Sequence, residues 1–190
     1  MKHPTIILAT AVALAGATAI AAQQKAPSKT SAGGGAVRAH ADIKGEGITG
    51  TADFSETQQG TGRVVNITVT VSGLKPGLHG VHLHAVGKCE APFASAGGHF
   101  DPGPAGNPDP DANHPYHMGD IPQLNVGTNG KGTMRAVTTR VTLSDGPLTL
   151  FDADGSAIII HANPDQGITG EPRSGVSGGP RLACGVIEKK

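Results

Sequence analysis

Val65-Asn66-Ile67-Thr68-Val69-Thr70-Val71 alternates apolar and polar residues without a break. A period of two belongs to a strand with one face on a core and the other in water. Shorter runs of the same kind lie at 36–43, 48–55, 81–84, 134–141 and 157–161. Turn signals separate them: Gly45-Glu46-Gly47, Gly60-Thr61-Gly62, Lys75-Pro76-Gly77, Asn129-Gly130-Lys131-Gly132 and Ser144-Asp145-Gly146-Pro147. No segment carries a sustained helical stripe. Many short strands at this spacing predict an all-β domain, an antiparallel Greek-key sandwich or barrel of about eight strands. Two stretches break the rhythm. Residues 90–122 are dense in Gly, Pro, Asp and His, and residues 162–180 in Gly, Pro and Ser. Loops this long are uncommon in compact domains and are usually functional when ordered.

The N-terminus reads as a secretory signal over residues 1–21. Lys2 and His3 give a basic start, an apolar core runs from about residue 5 to 20, and Ala19-Ile20-Ala21 offers a small-residue cleavage site. A retained anchor is the other reading, but the run is short for a membrane span. No cysteine follows it, which argues against a lipid anchor. Residues 22–35 hold no large apolar side chain and read as a flexible linker. The folded domain is expected over 36–190, and a unit of roughly 150 residues can bury about two thirds of its unfolded surface. Export places the protein in the periplasm or outside the cell, with no stable membrane insertion after cleavage. Basic and acidic residues balance at 15 each, and no basic block points to nucleic acid. Tryptophan is absent and Tyr and Phe total five, so Val, Ile, Leu and Ala must build the core. Cys89 and Cys184 are the two cysteines. In an exported chain such a distant pair is most simply a disulfide closing about 95 residues, with two buried thiols as the other reading.

Six histidines fall into a pattern that a metal site explains. His82 and His84 sit in Val81-His82-Leu83-His84, His99 in Gly97-Gly98-His99-Phe100, and His161 ends Ile158-Ile159-Ile160-His161. His114 and His117 precede Asp120 in Asn113-His114-Pro115-Tyr116-His117-Met118-Gly119-Asp120. On a strand, His82 and His84 project to one face while Val81 and Leu83 face the core. Imidazole is the commonest ligand for copper and zinc, and so many rings with one carboxylate suggest more than one ion. A zinc hydrolase ranks low, because no HExxH motif occurs.

These segments resemble those of copper/zinc superoxide dismutases, and in particular the exported bacterial type. The matches are Gly77-Leu78-His79-Gly80-Val81-His82-Leu83-His84, Gly97-Gly98-His99-Phe100-Asp101-Pro102, His117-Met118-Gly119-Asp120, Ile160-His161 with Asp165, and Gly179-Pro180-Arg181-Leu182-Ala183-Cys184-Gly185-Val186-Ile187. They run in the family's order. The resemblance implies disproportionation of superoxide to dioxygen and hydrogen peroxide, with copper cycling between Cu(II) and Cu(I). It implies copper on His82, His84, His99 and His161, and zinc on His99, His117 and Asp120, so that His99 bridges the two. It makes Arg181 the guide for the anion, with His99 also supplying protons. Asp165 would link a copper histidine to a zinc histidine, His79 would tie strand to loop, and Cys89–Cys184 would be the intrasubunit disulfide. One position departs. The family's middle zinc histidine falls at Pro108 here, and His114, the remaining loop histidine, is assigned to zinc by elimination. The other reading completes zinc with Asp109, Asp111 or water. The second loop carries only Asp165, Glu171 and Arg173 as charged residues, which predicts weaker long-range steering. The competing function is a non-catalytic copper/zinc buffer or delivery module on the same fold. A homodimer is left open, because family members pair through different surfaces.

Overall fold

In the computed structural model, which describes residues 36–103 and 109–190, the alternating stretch lies inside the long strand β3 (Gly62–Ser72). Val65, Ile67, Val69 and Val71 are buried, while Asn66 and Thr70 face solvent. The segments assigned to the signal peptide and linker, and Pro108, lie outside the described residues. β1 (Val37–Gly45), β2 (Ile48–Gln59) and β3 form a meander whose turns fall at the predicted glycines. The chain then makes the short strands β4 (Gly77–His79) and β5 (Val81–His84), and later returns as β6 (Leu124–Val126) and β7 (Lys131–Thr138). It finishes with β8 (Ala157–His161), β9 (Arg181–Val186) and β10 (Glu188–Lys189).

All ladders are antiparallel, in the order β4-β6-β7-β3-β2-β1-β9-β8-β5, with β10 added to β1. The two end strands, β4 and β5, are separated in sequence by Gly80 alone, so the sheet curls into a nearly closed barrel. The all-β expectation holds, with ten strands among the described residues rather than about eight. The run predicted at 134–141 is displaced: β7 ends at Thr138, whose hydroxyl accepts the Arg140 N–H at 3.0 Å and turns the chain out of the ladder. One core fills the barrel, built on Phe54, Leu83, Phe100, Leu124, Leu143 and Ile158 among others. A smaller cluster of Ala96, Ala157, Ile159 and Cys184 packs on the other face of β8. β5 and β8 are therefore buried on both faces, and the second face of β5 is where His82 and His84 point.

A buried carboxylate pins the loop between β7 and β8. Glu56, 6% exposed on β2, accepts the Leu143 N–H at 2.6 Å, the Ser144 N–H at 3.1 Å, the Ser144 hydroxyl, and Arg63 Nη1 at 3.2 Å. Burial alone would raise this carboxyl, but the hydrogen bonds from Ser144 and Leu143 hold it below its ordinary range. Glu56→Ala leaves two backbone donors stranded and is expected to cost about 2–4 kcal/mol of stability at neutral pH. A depressed folded-state pKa contributes stability that is complete above the unfolded value and lost as pH falls through the folded one. Denaturant unfolding of both proteins should therefore show the gap closing in acid.

Candidate metal centre

The backbone of the first long loop lies against β5 and brings His99 and Asp120 beside it. Leu83 donates its N–H to Gly119 O and accepts from Phe100 N, at 3.0 and 2.8 Å, while Ala85 N–H reaches Gly98 O at 3.0 Å. These contacts set His99 opposite His84 and Asp120 opposite His82. Gly119 is required for the approach, because a Cβ there would stand 2.3 Å from Leu83 O. β8 flanks β5 on its other side and ends at a register shift, where His161 comes into the same space.

The six rings are buried, none more than 2% exposed, and they crowd one another. Ring centroids are 4.0 Å apart for His82 and His99, 4.9 Å for His82 and His161, and 5.1 Å for His99 and His117. Five of the six rings have one nitrogen engaged by protein and one without a partner, and His114 faces a carboxylate with each of its nitrogens. His82 Nε2 meets Asp165 Oδ2 at 3.0 Å, His84 Nδ1 donates to Gly97 O at 3.1 Å, and His161 Nδ1 donates to Gly179 O at 2.9 Å. His99 Nδ1 and His117 Nδ1 lie 2.7 and 3.1 Å from Asp120, and His114 Nε2 lies 2.6 Å from Asp165 Oδ1. The unpartnered atoms are His82 Nδ1, His84 Nε2, His99 Nε2, His117 Nε2 and His161 Nε2. An orphaned buried imidazole nitrogen is costly in a protein interior and fits a lone pair kept for a metal.

Two sets of these residues have the geometry for an ion. Ligand atoms of His82, His84, His99 and His161 all lie within 4.8 Å of one another, as do those of His82, His99, His114 and Asp120. The first set is all nitrogen, which suits copper, and the second mixes nitrogen with a carboxylate, which suits zinc. His82 appears in the second where His117 was expected. Its free nitrogen already serves the first set and its other is held by Asp165, whereas His117 sits on Asp120 through both its ring and its backbone N–H, the latter at 2.9 Å. His114 is buried, with Nδ1 3.4 Å from Asp120. The Asp111 carboxylate, an alternative for the second set, accepts hydrogen bonds from Gly175 and Ser177.

The protonation pattern suits ligation. Burial is the first cause that pushes His99 and His161 down to about 3, with the nearby His82 next, and burial likewise holds His84 well below its usual value. These rings are neutral at physiological pH, with lone pairs free. Burial would lower His114 too, but the Asp120 and Asp165 carboxylates beside it raise it to about 9. Burial opposes ionisation of Asp120 and Asp165, yet hydrogen bonds from the histidines hold both far below the carboxylate range.

Around the rings stand the remaining expected residues. His79 is 3% exposed and bonds the carbonyls of Lys75 and His161 at 2.9 and 2.8 Å, tying β4 to the start of the second loop. Arg181 donates from Nη1 to Phe93 O and from Nη2 to Gly97 O, both at 2.6 Å. Cys89 and Cys184 form a disulfide with a Cα–Cα distance of 5.6 Å, fastening that same loop to β9. The bridge closes 95 residues, for which the chain-entropy argument gives about 4–5 kcal/mol. Cys89→Ser with Cys184→Ser is expected to lower stability by about that much, read as a drop in the denaturant midpoint. Sequence reasoning missed the carbonyls of Phe93 and Gly97, which no side-chain motif announces, and the role of Asp111.

A nearly closed antiparallel barrel carrying two adjoining clusters of buried histidines, with His82 and His99 common to both, has the residues for a two-metal centre. The profile of the copper/zinc superoxide dismutase family matches residues 48–187. The Cu-Zn superoxide dismutase of Deinococcus radiodurans is 41% identical over 152 residues, covering 74% of this chain and 78% of its own length. Cu-Zn superoxide dismutase 2 of Brassica juncea is 41% identical over 146 residues, covering 75% of this chain and 90% of its own length. Among solved structures, a mutant of a SOD-like protein from Bacillus subtilis matches with a TM-score of 0.63 at 31% identity, covering 77% of this chain and 95% of that one. The clock protein EA4 matches with a TM-score of 0.65 at 28% identity, covering 80% of this chain and 93% of that one. The chain belongs to the copper/zinc superoxide dismutase family. As a member it is an oxidoreductase, a superoxide dismutase that uses copper and zinc.

Proposed function

We propose that His82, His84, His99 and His161 hold copper, that His99, His114, His117 and Asp120 hold zinc, and that superoxide is disproportionated at the copper pocket. The observation that carries this reading is the pair of ligand-atom clusters, His82, His84, His99 and His161 and His82, His99, His114 and Asp120, each within 4.8 Å, with His117 Nδ1 3.1 Å from Asp120. Bound copper supplies one-electron redox cycling, and bound zinc supplies a fixed charge that does not cycle.

The protein's own part is positioning and proton handling. Asp165 holds the tautomers of His82 and His114 at once and so couples the two pockets. His99 Nε2 lies with the residues proposed for copper and can hold a proton for the peroxide product, while its Nδ1 lies 2.7 Å from Asp120, with which it would hold zinc. Arg181, anchored on two carbonyls, presents a charge that attracts and orients the anion. That arginine also favours turnover over the buffer or delivery reading, which needs no guide for a substrate. A chelator should abolish superoxide consumption, and copper, but not zinc alone, should restore it. Protein that binds both metals and consumes no superoxide would be the non-catalytic module instead.

Asp165→Asn keeps the shape but leaves one of its two histidines without an acceptor. We expect copper and zinc affinity both to weaken about 10–100-fold, read by competition with a calibrated chelator. Weakening at one metal only would place Asp165 in a single pocket.

Export to the periplasm or cell exterior is the location this reading favours. The disulfide suits an oxidising compartment, and no helix among the described residues is long and apolar enough to cross a membrane. Equal activity in cytosolic and periplasmic fractions would contradict it. A homodimer is the quaternary arrangement to check, by light scattering of the purified protein.

A further inference from the structure

An anion in the wall of a channel that admits an anion works against its purpose. Asp111 occupies that position. It lines a cavity of about 770 Å³ together with Arg181, Arg173, Ser177 and His161, the last of the residues proposed for copper. A carboxylate there repels superoxide. Its side chain is nonetheless kept, at 3% exposure, by what it accepts: Gly175 N–H at 2.6 Å on Oδ2, and Ser177 N–H at 3.0 Å and hydroxyl at 2.7 Å on Oδ1.

The neighbouring groups act in the same direction. Asp111 O accepts the Gly170 N–H at 3.0 Å, and Asp109 Oδ1 accepts the Arg173 N–H at 3.3 Å. Four backbone donors between residues 170 and 177 thus end on residues 109–111, at the start of the segment that leads to His114. The stretch they hold contains Arg173, exposed, lining the cavity, and with no ion pair among the described residues. Arg173 sits at φ 62°, a left-handed conformation that costs a non-glycine residue free energy and persists only when the surroundings impose it. The other non-glycine residues of positive φ among the described ones also border the site. Phe93 offers its carbonyl to Arg181, and Asn113 precedes His114.

We propose that Asp111 is a positioning residue of the substrate channel, clamping residues 170–177 so that Arg173 stands on the rim as the outer of two cations drawing superoxide toward Arg181. The inference rests on the function proposed above. The hydrogen bonds offset part of the Asp111 charge, and the cation it places outweighs the rest.

The sign of the effect separates this from plain electrostatics. If Asp111 acted only as a charge, Asp111→Asn would speed the reaction at low ionic strength. Acting through Arg173, it slows it. The experiment compares the copper- and zinc-loaded parent, Asp111→Asn, Arg173→Gln and the double variant, reading kcat/KM for superoxide against ionic strength, metal content, and hydrogen exchange at the Gly175 and Ser177 amides. Arg173→Gln and Asp111→Asn should each lose about two- to fivefold at low salt, with the difference fading at high salt. The double variant should be no slower than Arg173→Gln, and the two amides should exchange faster in Asp111→Asn at unchanged metal content. A faster Asp111→Asn, a further loss in the double variant, or metal loss in step with activity would overturn the proposal. Should the loaded parent consume no superoxide, the functional reading fails on its own, and unchanged exchange at the two amides would still overturn the clamp.

Discussion

His99→Ala is expected to take superoxide consumption to background and to weaken both metals. The ring has one nitrogen among the copper set and the other 2.7 Å from Asp120, so a single truncation opens both pockets. Losing a partner outside the ligands costs about 10–100-fold in affinity, and a shared ligand should cost at least about 100-fold at each pocket. The rest of the cluster aggravates the loss: Asp120 would keep its charge in a buried site with one partner fewer. Elemental analysis after dialysis, with circular dichroism to confirm the fold, reads the outcome. A variant that still retains both ions would show that His99 does not join the pockets.

The second large effect is a selective one. His84→Ala should lose copper and keep zinc, because His84 contacts only the first set: its engaged nitrogen goes to Gly97 O and its free one lies with His82, His99 and His161. His117→Ala should lose zinc and keep copper, because its contacts run to Asp120 through both ring and backbone. Activity should vanish in the first and persist in part in the second, since zinc does not cycle electrons. The reverse pattern of metal loss would exchange the two pockets.

How far the sequence alone leads depends on periodicity. Residues 65–71 announce β3 because one face is buried and the other wet, and the same period places His82 and His84 on one face with Val81 and Leu83 opposite. β4 and β6 span three residues each, too few for a period to register. β9 mixes Arg181, Cys184 and Gly185 because it serves the channel, the disulfide and the sheet at once, so no alternation marks it. The copper-side residues were legible because they sit on or beside strands. The residues proposed for zinc were less so, because they hang on a loop whose path only tertiary contacts define. His114 reaches Asp120 and Asp165 although it stands three residues before His117 rather than about nine. Asp111 shows the limit most plainly: its partners, Gly175 and Ser177, lie more than sixty residues away on another loop.

The most direct test of the account is loading the protein with copper and with cobalt(II) in zinc's place, then recording the copper electron-spin signal. One ion of each kind per chain should bind, and the shared His99 ring should couple them so that the copper signal is broadened or lost. Two bound ions with an undisturbed copper signal would contradict the central claim that one imidazole joins the two pockets.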